Sequence, residues 1–421
     1  MTGSNEDLNR GSNNETFDYI IIGAGVIGCS TAYHLKREQP DKNILVVDKN
    51  LRAGAGNTAK SAALYRNIFS SKTSRALASS SIKYYQQLGD TIRLKNTGYL
   101  WLFSKQQWID SQRAIQQLSP ERENFDVLDR EAVYDLLNIN PVEKPPFKGV
   151  HAALHGHSCG ALSAIALAEH YASEFEKLGG EIRFGVEVKS FKLTNEEQRY
   201  APWLEVRVKE IIDQSGQLYR ASRFIVAAGA WTHELLSPVG IFSGVLPKKR
   251  QLFGLKIKDP SQIIKGIKSP KIPAIILPTG GLYIKLPVTK GNILVVGSAD
   301  NLGQPFQMID PESDPEYFHK AIDPVLQHYF PRLVDYELKL KWAGYYAYHW
   351  PDNNPVIETV ANLTWVSGTS GSGIMKADAI GRIAAASIQG KEEAVLFDGS
   401  KFRVSALSLR HREVEEEKFV I

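Results

Sequence analysis

A chain of 421 residues with formal charge +4, 43% hydrophobic and 23% charged residues has the balance of an ordinary globular protein, long enough for two interlocked domains or one domain with a large insertion. It offers no basic block suited to nucleic acid and no apolar run near the roughly 18–20 residues of a membrane span. Two cysteines, Cys29 and Cys159, make neither a disulfide framework nor a CxxC metal site, so a cytoplasmic location is expected.

Residues 1–15, MTGSNEDLNRGSNNE, are polar and include acids; a disordered tail is expected, not a signal or transit peptide. DYIIIGAGVIG follows, an apolar strand run ending at Gly23, then a helical pattern and a second buried strand, NILVVD. Strand, glycine turn, helix and strand within about 30 residues form a right-handed βαβ unit. Gly23, Gly25 and Gly28 have the GxGxxG spacing. The first permits the turn, the second lets backbone approach a pyrophosphate, and the third lets helix pack on strand, with Val26 and Ile27 opening the helix over the phosphates. Asp48, followed by Lys49, ends the second strand where a carboxylate binds a ribose diol and repels the 2′-phosphate of NADP.

A glycine-, Asn- and Thr-containing loop after Asp48 places Asn57, Thr58 and Ser61 where small polar groups surround a pyrophosphate and the inner edge of a flavin. Ala59–Leu88 reads as one helix, stopped by Gly89. GYLWLF is strand-like, 105–148 polar and helical, and 161–180 an amphipathic helix with a Gly-Gly stop. RFIVAAGAW is a buried strand and glycine turn with Ala228, Gly229 and Trp231 at its end. Segment 242–349 is rich in short β runs. Strand, glycine-rich turn and helix then return at 363–388, where Gly371, Ser372, Gly373, Ile374 and Met375 put a helix N-terminus against the flavin's pyrimidine oxygens. The loop after Asp48, the returning strand and this last turn together point to FAD over NAD.

The expected fold class is α/β: a discontinuous Rossmann-like FAD-binding domain (16–97, 155–235, 350–395) with an inserted, mainly antiparallel substrate-binding domain (98–154, 236–349) and a C-terminal tail (396–421). REVEEEKF near the end reads as a solvated helix or tail. His151, His155 and His157 invite a metal reading, but the segment reads as a loop without a fourth ligand, so no metal is expected. Tyr346, Tyr348 and His349, in YYAYHWPD, are candidate substrate contacts, able to cage an amine cation or simply to pack where the domains join.

Over IIIGAGVIGCSTAYHL, VVDK, VEVKSF, IVAAGAW, PKKRQLFGL, WAGYYAYHWPDNNPVI and GTSGSGIMKADAIGR, the chain resembles the D-amino-acid-oxidase superfamily of FAD-dependent oxidoreductases. It is similar to the branch holding monomeric sarcosine oxidase, glycine oxidase and the dimethylglycine and sarcosine dehydrogenases. The resemblance implies hydride removal from the carbon beside an amine to flavin N5, giving an imine that hydrolyses. It implies backbone contact of Val188 with adenine, carboxylate pairing at Arg66, and an active-site tyrosine at Tyr283. The family's oxygen-activating lysine falls at Val295, its active-site histidine at Ala299, and its late lysine at Met375, beside Lys376. Its flavin-tethering residues fall at Tyr345 and near Lys60, which implies non-covalent FAD.

The expectation is therefore an FAD-dependent dehydrogenase or oxidase for an amino acid or N-methylated glycine, a small-molecule amine. Arg66 would anchor the carboxylate, Tyr283 would close the pocket, and Lys376 or His349 would tune the flavin. The electron acceptor (oxygen, a quinone or an electron carrier) stays open. Two alternatives remain: oxidation of a hydroxy acid or glycerol phosphate, with His349 as base, and a catalytically silent FAD-holding assembly protein.

Overall fold

The computed structural model describes residues 15–118, 124–194, 207–265, 274–286, 292–299, 306 and 312–419. Apart from Glu15, the expected N-terminal tail lies outside them. β1 (Thr16–Ile22) leads through Gly23 into helix α1 (Val26–Glu38), and β2 (Ile44–Asp48) returns parallel to β1. β1 is apolar from Tyr19 to Ile22, where both its faces are covered. Ile21 enters the helical layer's core, and Ile20 and Ile22 enter the core beneath the sheet. Leu218–Val226 pairs parallel with β1 on its other side, Leu363–Ser367 pairs parallel with that strand, and Glu181–Phe184 pairs parallel with β2. Five parallel strands thus end at one edge, and the molecule's cavity opens there.

α1 is clamped to helix Gly373–Ile388. A Cβ on Gly381 would lie 2.2 Å from Ser30 Oγ, so only glycine allows this approach. Ser30 Oγ donates to the Ala377 carbonyl (2.8 Å), and His34 Nε2 meets Asp378 Oδ1 at 2.9 Å, both wholly buried.

The second sheet has eight strands, in the order Glu337–Tyr348, Leu246–Lys256, Ile293–Ser298, Leu282–Lys285, Ala274–Ile276, Tyr99–Phe103, Ala152–Gly156, Phe125–Leu128. All neighbours are antiparallel except Ala274–Ile276 with Tyr99–Phe103. Its outer face buries Phe253, Ile284 and Leu294 against helix Asp323–Tyr329, and its inner face carries Tyr99, Leu252 and Tyr283. The α/β class with a mainly antiparallel insertion agrees with the sequence.

Three expectations change. The helix read over Ala59–Leu88 exists only as α2 (Lys72–Leu88); before it come a short strand, β3 (Leu64–Tyr65), and an extended stretch. Ala63 sits at φ +53°, off the helical path, and its carbonyl accepts from Leu162 N–H. Ser71 caps α2 by accepting from Ser74 N–H at 3.0 Å. Long-range partners override the local helical preference here. Second, the C-terminal segment is docked on the body of the protein, although Glu413, Glu415, Glu416 and Lys418 stay exposed. Lys401–Arg403 pairs with Glu393–Val395, Arg412 grips Asp352 with bonds of 2.5 and 2.6 Å, and Glu417 and Phe419 are buried. Third, His155 lies on a strand, not in a loop.

Candidate active site

The cavity at the strand ends has a volume of about 620 Å³, within the usual range for small-molecule sites. One end is built on backbone. Gly23, at φ +109°, turns the chain, and a Cβ there would lie 2.6 Å from the Ala227 carbonyl oxygen. A Cβ on Gly28 would lie 1.8 Å from the Gly23 oxygen, so Gly28 serves packing and does not reach the cavity wall. Gly25 faces open space apart from Thr58 Oγ1 at 3.4 Å, which leaves room for a phosphate at the N-terminus of α1. Asp48 lines the same end. Its Oδ2 accepts from Ala24 N–H (2.6 Å) and its Oδ1 from both nitrogens of Asn50 (2.7 and 2.8 Å), so the carboxylate is held in place. Val26, Ile27, Lys49 and Val188 complete this wall, with Lys49 Nζ 4.2 Å from the Trp231 ring centre. Ala228, Gly229 and Trp231 line the cavity from the end of the returning strand.

Asn57, Thr58 and Ser61 line its middle. Asn57 Oδ1 accepts from Tyr345 N–H (3.0 Å) and the Lys60 carbonyl accepts from Trp342 Nε1 (2.9 Å), so the second sheet holds this loop. Opposite it, Gly371, Gly373, Ile374 and Met375 present the start of a 16-residue helix, whose dipole favours negative charge. Ser372 is turned back, donating to the Thr369 carbonyl, and does not line the cavity. No histidine or cysteine lines the cavity among the described residues.

The far end is aromatic. Tyr99, Arg250, Leu252, Tyr283 and Tyr346 converge from four different strands. Tyr283 lies over Gly297, where a Cβ would meet its Cζ at 2.6 Å; Tyr346 lies over Gly371, where a Cβ would meet its Cε2 at 2.3 Å. Burial raises the pKa of all three phenols, which also feel Arg250 or Arg66, so they remain protonated donors at neutral pH.

Three residues expected to act at the flavin ring do not line the cavity. Arg66 is buried with its two Nη atoms donating to the carbonyls of Ile68 and Phe419, and its guanidinium stacks on Phe69, 3.9 Å from the ring centre. Lys376 is wholly buried, donates to Ser74 Oγ (2.8 Å), and burial lowers its pKa to about 7 against the pull of Glu417. His349 Nδ1 meets the Gly244 carbonyl at 2.6 Å and its Nε2 lies 3.5 Å from Asp352. Tyr346 joins the cavity, whereas Tyr348 packs near Phe306 at 5.9 Å and does not line it.

Several residues escaped the sequence reading. Arg250 and Tyr99 had only strand alternation as a signal, Arg250 sharing its face with Leu252 two residues on. Glu417, in a segment read as solvated, accepts from Ser70 N–H (2.9 Å), Ser70 Oγ (2.9 Å) and Ser71 N–H (3.0 Å) at the start of α2. Lys285, cross-strand from Val295, donates to the Ala62 carbonyl (2.7 Å), and burial lowers its pKa to about 8. On the outer face of the sheet, Asp126 joins His155 and His157, their ligand atoms within 4.8 Å of one another, and His151 is not part of the group.

The family described as FAD dependent oxidoreductase matches residues 18–387. "FAD-dependent oxidoreductase domain-containing protein 1" of Xenopus laevis is 25% identical over 88% of this chain and 79% of its own length. Glycine oxidase of Pseudomonas aeruginosa is 24% identical over 89% and 96%. Among solved structures, L-proline dehydrogenase of P. horikoshii superposes with a TM-score of 0.73 at 21% identity, over 90% of this chain and 94% of that one. Glycine oxidase of Geobacillus kaustophilus gives 0.74 at 18%, over 94% and 98%. No helix among the described residues is long and apolar enough to cross a membrane.

Proposed function

The chain belongs to the FAD dependent oxidoreductase family, and from that premise we propose that it oxidises the C–N bond of an amino or imino acid. Glycine, proline and N-methylated glycines are the scale of substrate intended. FAD, which Gly23, Gly25, Asp48 and the helix start at Gly373 would hold, would supply the two-electron oxidation of the carbon beside nitrogen, with the amine proton going to solvent and water then hydrolysing the product to carbonyl and amine. The protein's task is then to position the C–H bond, exclude water and bind the acid group.

The observation carrying this reading is the aromatic end: three protonated tyrosines and Arg250, with no acidic residue or imidazole among its described lining. Cation and phenol donors suit a carboxylate, and an aromatic wall suits a small amine. Alcohol oxidation needs a base for the hydroxyl proton, and His349, the one candidate for it, is turned to Gly244 and Asp352. The expected carboxylate anchor, Arg66, is likewise committed to the Ile68 and Phe419 carbonyls.

The test is anaerobic bleaching of the bound flavin by a panel of amino and imino acids and their matched 2-hydroxy acids. Bleaching by the nitrogen compounds alone is expected. Faster bleaching by hydroxy acids overturns the reading, and no response to either set favours a non-catalytic role.

A further inference from the structure

On the face of the second sheet turned away from the cavity, strand pairing brings together two imidazoles and a carboxylate. His155 lies on Ala152–Gly156, a strand hydrogen-bonded on both sides. It is in register with Leu100 on one neighbour and with Asp126 on the other, the edge strand Phe125–Leu128. Residues directly opposite on adjacent strands share a face, and so do residues two apart along one strand. Leu100 belongs to the outer-face core, so His155, Asp126 and His157 stand on that side. The backbone also fixes His157, whose N–H donates to the Asn124 carbonyl at 2.8 Å. None of the three lines the cavity.

The ligand atoms of these three side chains all lie within 4.8 Å of one another. His157 Nε2 and Asp126 Oδ2 are 3.1 Å apart. Two ligands of a tetrahedral zinc, each about 2.0–2.1 Å from the ion, are separated by about 3.3 Å. The rings of His155 and His157 meet edge to face with centres 5.1 Å apart, which lets a nitrogen of each turn to one point. A surface ion pair would need only His157 and Asp126. The half-buried His155 adds no opposite charge to that pair; it adds a second nitrogen ligand held by the sheet.

We infer that Asp126, His155 and His157 bind one divalent ion of the zinc class, which clasps the edge strand Phe125–Leu128 to its neighbour. Two imidazoles and a carboxylate suit zinc, cobalt or nickel, whereas magnesium and calcium favour sets made of oxygen. The side chains of His157 and Asp126 are 42% and 61% exposed, so water can complete the coordination. The clasp matters because Phe125–Leu128 ends the sheet and pairs on one side only. Phe125, on the opposite face of that strand from Asp126, is buried in the cluster that holds Tyr99 and Tyr283.

The experiment titrates zinc chloride into the tag-free holoprotein after treatment with a chelator, by calorimetry and by thermal melting. Wild type should bind one zinc per chain and melt at a higher temperature with it, because an ion bound by the folded state alone stabilises that state. Asp126→Ala and His157→Gln, at exposed positions, should each weaken zinc at least about tenfold, since losing even a group behind a ligand costs that much. Each should also lose the rise in melting temperature. His151→Gln, outside the group, should bind zinc as wild type does. Excess magnesium should neither displace the zinc nor raise the melting temperature.

A wild type that binds no zinc overturns the inference. Affinity unchanged in both Asp126→Ala and His157→Gln, or weakened equally by His151→Gln, assigns the ion to scattered surface histidines and overturns it as well. Zinc bound at these residues without a rise in melting temperature overturns the clasp. Should Asp126→Ala or His157→Gln fail to fold, Asp126→Asn, which keeps the shape and loses the charge, decides: unchanged zinc affinity overturns the site.

Discussion

The two ends of the cavity are made from different parts of the chain. At the phosphate end the wall is largely backbone, supplied mainly within residues 22–58 and completed by Val188 and by Ala228, Gly229 and Trp231, with Asp48 as a held carboxylate. At the aromatic end the wall is side chain, brought from Tyr99, Arg250, Tyr283 and Tyr346 on four strands. Backbone donors at a helix start suit any dinucleotide, so that end defines a cofactor class. Phenols and a guanidinium on a rigid sheet can be exchanged singly without unfolding the cradle. Cofactor retention and substrate choice should therefore respond to separate mutations.

The largest effect tests the cradle. Gly28→Val forces a side chain onto the Gly23 carbonyl, where even a Cβ would lie 1.8 Å away. The variant should be recovered without flavin, or not fold at all, as read by the 450/280 nm absorbance ratio. A yellow, soluble protein would mean that α1 can shift away from β1. Next, Gly297→Ala places a methyl 2.6 Å from the Tyr283 ring. This variant should retain FAD and lose at least about tenfold in substrate-driven flavin reduction. Equal loss of flavin would break the separation between the two ends.

A smaller effect concerns the support behind the aromatic end. Glu417→Gln removes a buried charge that accepts from Ser70 and Ser71 and should cost about 2–3 kcal/mol in thermal or denaturant unfolding. Burial pushes the pKa of Glu417 up, but Arg66, Lys376 and the Ser70 and Ser71 amides outweigh it and leave it below 4.5. A depressed carboxyl stabilises the fold above its unfolded pKa and is lost as pH falls through its folded pKa. Wild type should thus lose stability below about pH 4.5, with a weaker loss in Glu417→Gln. Equal acid sensitivity would remove the claim. Lys376, lowered by burial from 10.5 to about 7, makes stability decline as pH falls between those values, by at most about 1.4 kcal/mol per pH unit. Lys376→Met should flatten that slope. The smallest effect is Lys49→Ala, which removes the cation 4.2 Å from the Trp231 ring centre. It should weaken FAD by no more than about fivefold in a fluorescence titration.

Legibility in the sequence follows the same division. β1, α1, β2 and Asp48 could be read because strand run, glycine spacing and strand-end acid all lie within one stretch of chain. Tyr283, implied by the family resemblance of GGLYIKLP, lines the cavity. Arg66 was readable as an arginine near the site but not as a committed one, since its partner Phe419 lies 353 residues away. Ala59–Leu88 shows neither proline nor glycine, yet Ser70 and Ser71 are held extended by Glu417, which no local window contains. Arg250 was hidden for another reason. In KKRQ every neighbour is polar, and only the paired strands on either side show which residue turns inward.

The C-terminal segment also has a kinetic meaning. Its contacts with Ser70, Ser71 and Arg66 close loops of 346 to 353 residues, so chain entropy opposes them more than any contact within the βαβ unit. They should form late in folding and release early. Arg412 on Asp352 and Glu417 on α2 then act as two successive latches on one strap. Native-state hydrogen exchange should show the Ser70 and Ser71 amides opening at a lower free energy than those of β1. The wall behind the aromatic end can thus come apart while the nucleotide fold stays closed.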